Sequence, residues 1–377
     1  MEKHSKLSLQ IFLSITLIAI TYALVAMFLH DPLQIWHKPF FRSKLTYSYT
    51  MRESARAFIR DYKFDSVIMG NSLFENISAQ KAKEILGGKF FNLSISGGTM
   101  YEKHLILNYL LKRRKIKTVI INPNADCTNL EITPRLFDLN QYNFLYNNNP
   151  FDDFKIYLND KLFLGTLCFS NNKKYIGKPK DIDKPYAWEG NKIHYSRFGG
   201  FDKWVENKNN NQIKDNFKSI VNTPSEIKEV TIDNKFLIEM KNYYDKYFFS
   251  LVAKYPDTNF YMIITPVSDI ALAQKVRKGE LTKEFEVLKY LTSQQSVYKN
   301  YHLFVFSDSK ELSQVKDYKD TTHFRTWINY YMLESIKKDK HRLTPQNIDN
   351  YISTVYNNAI SVDFDYYKNK VQGFVKD

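Results

Sequence analysis

Asp65-Ser66-Val67-Ile68-Met69-Gly70-Asn71-Ser72 is a short apolar run that stops at a glycine and delivers a serine. Val67, Ile68 and Met69 suit a buried strand, Gly70 permits a tight turn, and the residues from Ser78 to Leu86 read as a helix. Ser72 is therefore expected at the carboxyl end of a strand. Open α/β sheets bind their ligands there, which makes this hydroxyl a nucleophile candidate. A serine after Gly-Asn is also ordinary turn chemistry, so the stretch alone leaves both readings open.

On its C-terminal side, strand and helix patterns alternate: strands over 65–69, 90–95 and 116–121, helices over 78–86 and 101–114. This βαβαβ rhythm predicts a parallel sheet wrapped by helices. Thr99 and Glu102 stand at capping-box spacing directly after Gly97-Gly98, which puts the turn Ser94–Thr99 on the same sheet edge as Ser72. From about 136 to 234 the rhythm gives way to Asn, Lys and aromatic residues, as in Tyr146-Asn147-Asn148-Asn149, and reads as an insertion or cap. Alternation resumes with a helix over 236–254, a strand over 259–264, a helix over 282–293, a strand over 302–306 and a helix over 322–338. The expected organisation is an N-terminal anchor (1–30), a juxtamembrane connection (31–63) with a helix near Met51–Asp61, an α/β domain (64–340) carrying the insertion 136–234, and a C-terminal tail (341–377) packed on that domain.

Ser8 to Leu29 is a nearly uninterrupted apolar run without a charge, long enough to cross the roughly 30 Å hydrocarbon core as a helix. Lys3 and Lys6 precede it and no clear Ala-x-Ala site follows. An uncleaved signal anchor with a cytoplasmic N-terminus is expected over a removed signal peptide. The rest of the chain then faces the periplasm or the exterior. A buried helix of a soluble core would need that length hidden on every face.

With 44% hydrophobic and 16% aromatic residues the chain holds too much apolar surface for a solvated coil. Its net charge of +14 is spread along the sequence rather than gathered into a stripe, which argues against nucleic acid. A Lys- and Asn-rich composition explains the excess, as does attraction to anionic headgroups or acidic glycans. Cys127 and Cys168 belong to no metal-spaced cluster; one disulfide and two free thiols both remain open. No cofactor and no metal is expected.

Acyl transfer by serine needs a base for the hydroxyl proton, an acceptor to orient that base, and donors for the oxyanion. Asp320-Thr321-Thr322-His323 lies between the last strand and the last helix, where a loop brings an imidazole back to the edge carrying Ser72. A histidine that caps or packs at a helix start is the plainer reading of the same residues.

Gly70-Asn71-Ser72, Asn92-Leu93-Ser94-Ile95-Ser96-Gly97-Gly98-Thr99 and Asp320-Thr321-Thr322-His323 together resemble, in order and placement, the blocks of the SGNH (GDSL-like) hydrolase superfamily. The second block is the most telling, being similar to that of small thioesterase-type esterases. The third departs: where the family has Gly-x-Asn-Asp, this chain has Ile121-Asn122-Pro123-Asn124-Ala125-Asp126, and Asn71 replaces an aspartate in the first. The resemblance covers roughly 64–135 and 236–338. It implies a three-layer domain with a central parallel sheet, with Ser72 as nucleophile, His323 as base and Asp320 as the residue orienting it. It also implies an oxyanion hole from the backbone N–H groups of Ser72 and Gly97 and the amide of Asn124, with Asn122 as the fallback.

Joined to an N-terminal anchor, such a domain resembles accessory proteins of envelope-polymer acylation, of the D-alanyl transfer and alginate O-acetylation types. The resemblance implies an extracytoplasmic O-acyltransferase or acetylesterase acting on a cell-envelope polysaccharide. Acyl-CoA is cytoplasmic, so a membrane-bound O-acyltransferase is the partner that would hand an acyl group across. In the insertion, Trp188 and Trp204, with Tyr186 and Tyr195, are candidates to stack on sugar rings, or form a small core of their own. The rivals are a catalytically silent glycan-binding or assembly protein on the same fold and a lipid esterase at the membrane surface.

Overall fold

The computed structural model describes residues 2–375, apart from 49, 125, 135–136 and 148. Ala125 of the third block and Leu136, where the insertion was expected to open, thus lie outside the described residues. The chain divides into two compact units, one of residues 1–63 with 138–182 and one of residues 64–137 with 183–377. The expected insertion is therefore cut at Ile182, its first part belonging with the N-terminal segment and its remainder with the α/β unit.

The α/β unit is built on five strands: β1 (Ser66–Met69), β2 (Phe90–Asn92), β3 (Thr118–Ile121), β4 (Asn259–Ile264) and β5 (Tyr301–Val305). Their order is β2-β1-β3-β4-β5, and every pairing is parallel. Helices flank the sheet, as the alternating pattern predicts. One face presents Ile68, Ile120, Ile263 and Phe304 to a core shared with the helices Ala79–Leu86, Phe201–Glu206, Asn211–Val221, Asp269–Arg277, Thr326–Lys337 and Phe364–Gln372. The other carries Val67, Val119, Phe260 and Met262, all buried, with Phe248 packed edge-on against Phe260. A parallel sheet covered on both faces reads as continuous apolar runs rather than alternation, which is why β1, β3 and β4 were visible in the sequence.

Three local differences stand out, two of them with a physical cause. β2 ends at Asn92 rather than Ile95 because the Asn92 side chain accepts the N–H of Ser94, although Leu93 and Ile95 still donate to Ile68 and Gly70 of the neighbouring segment. The last sheet-flanking helix starts at Thr326, not Thr322, because residues 320–323 are folded around the Asp320 carboxylate. The helix expected over 236–254 is interrupted by a wider turn over Asp245–Phe249. The Thr99–Glu102 capping box is present with both of its bonds, an N-terminal stop that contributes about 1 kcal/mol.

The other unit holds the helix Glu2–His30, the helix Met51–Asp61 and a two-residue antiparallel pairing of Thr46–Tyr47 with Lys178–Pro179. Residues 5–30 are long and apolar enough to cross a membrane, with a mean hydropathy of 2.4 and only 11% of the span buried. A helix hidden on all faces is thereby excluded. Arg56 grips Asp153 through two parallel bonds of 2.5 and 2.7 Å, and the Asp31 carboxylate gathers the N–H groups of Ile35, Trp36 and His37.

Candidate functional site

Gly70 ends β1 where a side chain has no room: a Cβ there would lie 2.4 Å from Phe74 Cβ. The turn that follows is bound at almost every amide. Gly70 N–H donates to Ser94 Oγ, Asn71 N–H to Asn122 Oδ1, Leu73 N–H to Asn71 Oδ1 and Phe74 N–H to the Asn71 carbonyl. Asn92 Nδ2 donates to the carbonyls of Phe74 and Ile77, and Trp188 Nε1 donates to the Ser72 carbonyl at 2.7 Å. Among the described residues the Ser72 N–H meets no acceptor. The half-buried Ser72 hydroxyl is thus presented at the carboxyl end of β1 on a turn with little freedom.

Ser72 Oγ lies 2.9 Å from His323 Nε2. On the far side of the ring, Nδ1 is 3.0 Å from each oxygen of Asp320. A carboxylate only accepts, so Nδ1 carries the proton and Nε2 is left to accept from the Ser72 hydroxyl. Asp320 is almost fully buried and also accepts the N–H groups of Thr322 and His323, with Lys319 Nζ 3.5 Å away. Burial opposes its charge, yet the imidazole, these hydrogen bonds and Lys319 together hold the carboxyl below the usual carboxylate range.

The other residues expected at the site are dispersed. Gly97 sits exposed in the turn after β2 with a φ of +59°, a left-handed conformation that favours glycine. Asn124 does not turn its amide to Ser72: Oδ1 accepts the Met100 N–H at 2.7 Å, and Nδ2 donates to the Asn129 carbonyl at 2.6 Å and to Tyr243 Oη. Asn122, the fallback, spends its amide on Asn71, donating from Nδ2 to Asn71 Oδ1 at 3.0 Å. Trp188 stands beside the catalytic candidates with its ring edge-on to His323 at 5.8 Å, but Lys319 Nζ lies over the indole at 4.6 Å. Trp204 is fully buried in the core and donates to the Tyr318 carbonyl, which removes it from any role in stacking on a sugar.

Several participants carried no motif. Lys319 and Arg197 are both nearly fully buried, and between them His194 Nδ1 accepts from Arg197 at 2.6 Å, with Lys319 Nζ 3.5 Å away. Burial, then the charges of Lys319 and Arg197, bring the His194 pKa down to about 4, so its ring is neutral at pH 7. Lys103 lies wholly inside the unit behind Asn122. Its position between Met100 and Ile106–Leu107 on a helix stripe was the available signal, a charge where an apolar side chain belongs. Trp188 and His194 also line a cavity of about 210 Å³, with Tyr195, Phe198, Arg325 and Trp327. A larger hollow of about 570 Å³ lies in the other unit, among residues such as Glu53, Asn140 and Lys174, and holds none of these groups.

Asp126, Cys127 and Glu284 bring ligand atoms within 4.8 Å of one another, but Lys275 Nζ is 2.6 Å from Glu284 and supplies the positive charge that a metal would. Cys127 is buried and Cys168 exposed, and both thiols are free.

No family model matches the chain, and no curated protein matches it. Among solved structures, one from Streptococcus pneumonia described as a putative platelet activating factor aligns over 85% of this chain and 98% of its own, with 13% identity and a TM-score of 0.38. At that score the likeness bears on neither fold nor function.

Proposed function

We propose that the α/β unit is a serine esterase or O-acyltransferase in which Ser72, His323 and Asp320 act as nucleophile, base and orienting carboxylate. The observation that carries this reading is the continuous line Ser72 Oγ, His323 Nε2, His323 Nδ1, Asp320, with separations of 2.9 and 3.0 Å. Ser72 Oγ attacks an ester carbonyl as its proton passes to His323 Nε2, and Asp320 stabilises the imidazolium. The tetrahedral oxyanion is met by the unpartnered Ser72 N–H, with the Gly97 N–H as a second donor. His323 returns the proton to the leaving alcohol, and the acyl-Ser72 is then attacked by water or by an acceptor hydroxyl.

The acyl acceptor is assigned to the cavity that Trp188, edge-on to His323, shares with Tyr195, Trp327 and Arg325, whose indole and phenol walls and guanidinium suit a sugar unit. With the apolar helix of residues 5–30, this supports an envelope polysaccharide as substrate and a membrane-bound acyl donor as partner. One observation favours the silent glycan-binding reading instead: Asn124 Nδ2 is committed to Asn129 and Tyr243, and Asn122 Nδ2 is held by its bond to Asn71, so neither amide is turned to Ser72 as an oxyanion donor.

The test is labelling of the full-length protein, in detergent, with a fluorophosphonate. Wild type is expected to label at Ser72, Ser72→Ala and His323→Ala to abolish labelling, and Asp320→Asn to slow it. Labelling that persists in Ser72→Ala removes the assignment.

A further inference from the structure

Lys103 is fully buried in the helix Met100–Leu111, and its three ammonium hydrogens all point at one turn. Nζ lies 2.8 Å from the Asn122 carbonyl, 2.7 Å from the Pro123 carbonyl and 3.3 Å from Asn122 Oδ1. Asn122 Oδ1 accepts the Asn71 N–H at 3.1 Å, while Asn122 Nδ2 donates to Asn71 Oδ1 at 3.0 Å. Asn71 Oδ1 in turn receives the Leu73 N–H, so the residues on both sides of Ser72 are fixed through one amide pair. Burying an ammonium is costly even when it is fully hydrogen-bonded. All the bonds of this one are spent on a turn whose other contact is the residue before Ser72.

We propose that Lys103 is a positioning residue of the acyl-transfer site: by holding Asn122 it holds Asn71, and so sets the direction of the Ser72 N–H toward the oxyanion. The inference rests on the reading of Ser72 as nucleophile. In its protonated form Lys103, two hydrogen bonds behind the Asn71 peptide in a low-dielectric interior, also favours the negative charge that develops on the substrate oxygen. Lys103 itself touches no substrate.

The experiment is a double-mutant cycle on the full-length protein with Lys103→Met and the isosteric Asn122→Asp, which keeps a partner for Lys103 but turns an acceptor toward Asn71 Oδ1. Turnover of a small acetyl ester and the rate of fluorophosphonate inactivation are measured together. Each single variant is expected to lower kcat and the inactivation rate by about 100-fold with KM changed less than about twofold, the signature of a misplaced transition-state donor. The double variant is expected to fall no further than the worse single, because both act through the same contact. Rates within about threefold of wild type, or effects that multiply in the double variant, overturn the proposal. If Lys103→Met does not fold, Lys103→Gln, which keeps a donor without the charge, takes its place in the cycle under the same thresholds. Ser72→Ala separates the two levels: if it keeps wild-type rates, the nucleophile reading fails; if it is dead while Lys103→Met is fully active, only the role of Lys103 fails.

Discussion

Burial pulls the Lys103 ammonium down to about 7, against a smaller upward pull from the Glu102 carboxylate. The sign of the linkage follows from that direction. In the unfolded chain the group holds its proton to a pKa near 10.4, so between about pH 7 and pH 8 the unfolded state binds more protons than the folded one, and stability rises with pH. The window closes there because the buried Cys127 thiol, which burial pushes up, begins to count against the fold once pH passes the unfolded thiol value near 8.5, and buried tyrosines such as Tyr244 and Tyr301 follow near 10. The urea midpoint of the wild-type protein is therefore expected to climb across that window, by up to about 1.4 kcal/mol per pH unit, and Lys103→Met to lack this slope. Parallel slopes in the two proteins would show that Lys103 does not titrate there, and that its charge persists through the alkaline range.

At the scale of elements, the site is a meeting of loops at one sheet edge, and the 183–190 segment is the one whose part was hardest to foresee. Its backbone is fastened by Asn76 Oδ1, which accepts the N–H groups of Trp188 and Glu189, and its indole then closes on the Ser72 carbonyl. Trp188→Phe keeps a ring beneath Lys319 but removes that donor. It is expected to lower turnover about tenfold while costing on the order of 1 kcal/mol of stability; unchanged turnover would reduce Trp188 to packing. The strands, the capping box at Thr99 and the positions of Ser72 and His323 were legible because each is a local pattern: an apolar run, a fixed spacing, a turn residue at a strand end. What was not legible depends on partners far away in sequence. Asn124 satisfies a placement argument, two residues past β3, but its amide is claimed by Met100, Asn129 and Tyr243, none of which a motif reveals. Trp204 looks like a surface aromatic in a polar insertion, yet it fills the core beneath the loop that carries Asp320. Lys103 and Lys319 are charges in the interior, and only the carbonyls, the carboxylate and the ring around them explain why they are there.

For the molecule as a whole, the helix through residues 5–30 is the segment whose length and apolar surface suit a membrane. At 1.5 Å per residue its 26 residues span about 39 Å, more than the hydrocarbon core requires. Side chains such as Leu13, Leu17 and Ile18 stand more than half exposed, and each would cost roughly 1.5–3 kcal/mol to keep in water. Insertion into lipid is one way to remove this cost, and cleavage of the segment as a signal sequence is the other. The +14 charge offers a second route to a membrane, since Lys and Arg near an anionic leaflet are attracted by about 1 kcal/mol each, and the two routes respond differently to treatment. Alkaline carbonate strips proteins held by charge and leaves spanning helices behind. Full-length protein is expected to remain in the carbonate pellet. Replacing Leu17 and Ile18 together by arginine, at about 2.5–3.5 kcal/mol per residue near the helix centre, is expected to release a large share of it. Release of the unaltered protein by carbonate would leave charge as the binding force and end the reading of residues 5–30 as an anchor. Retention of the doubly substituted protein at the wild-type level would place the anchoring surface elsewhere in the chain.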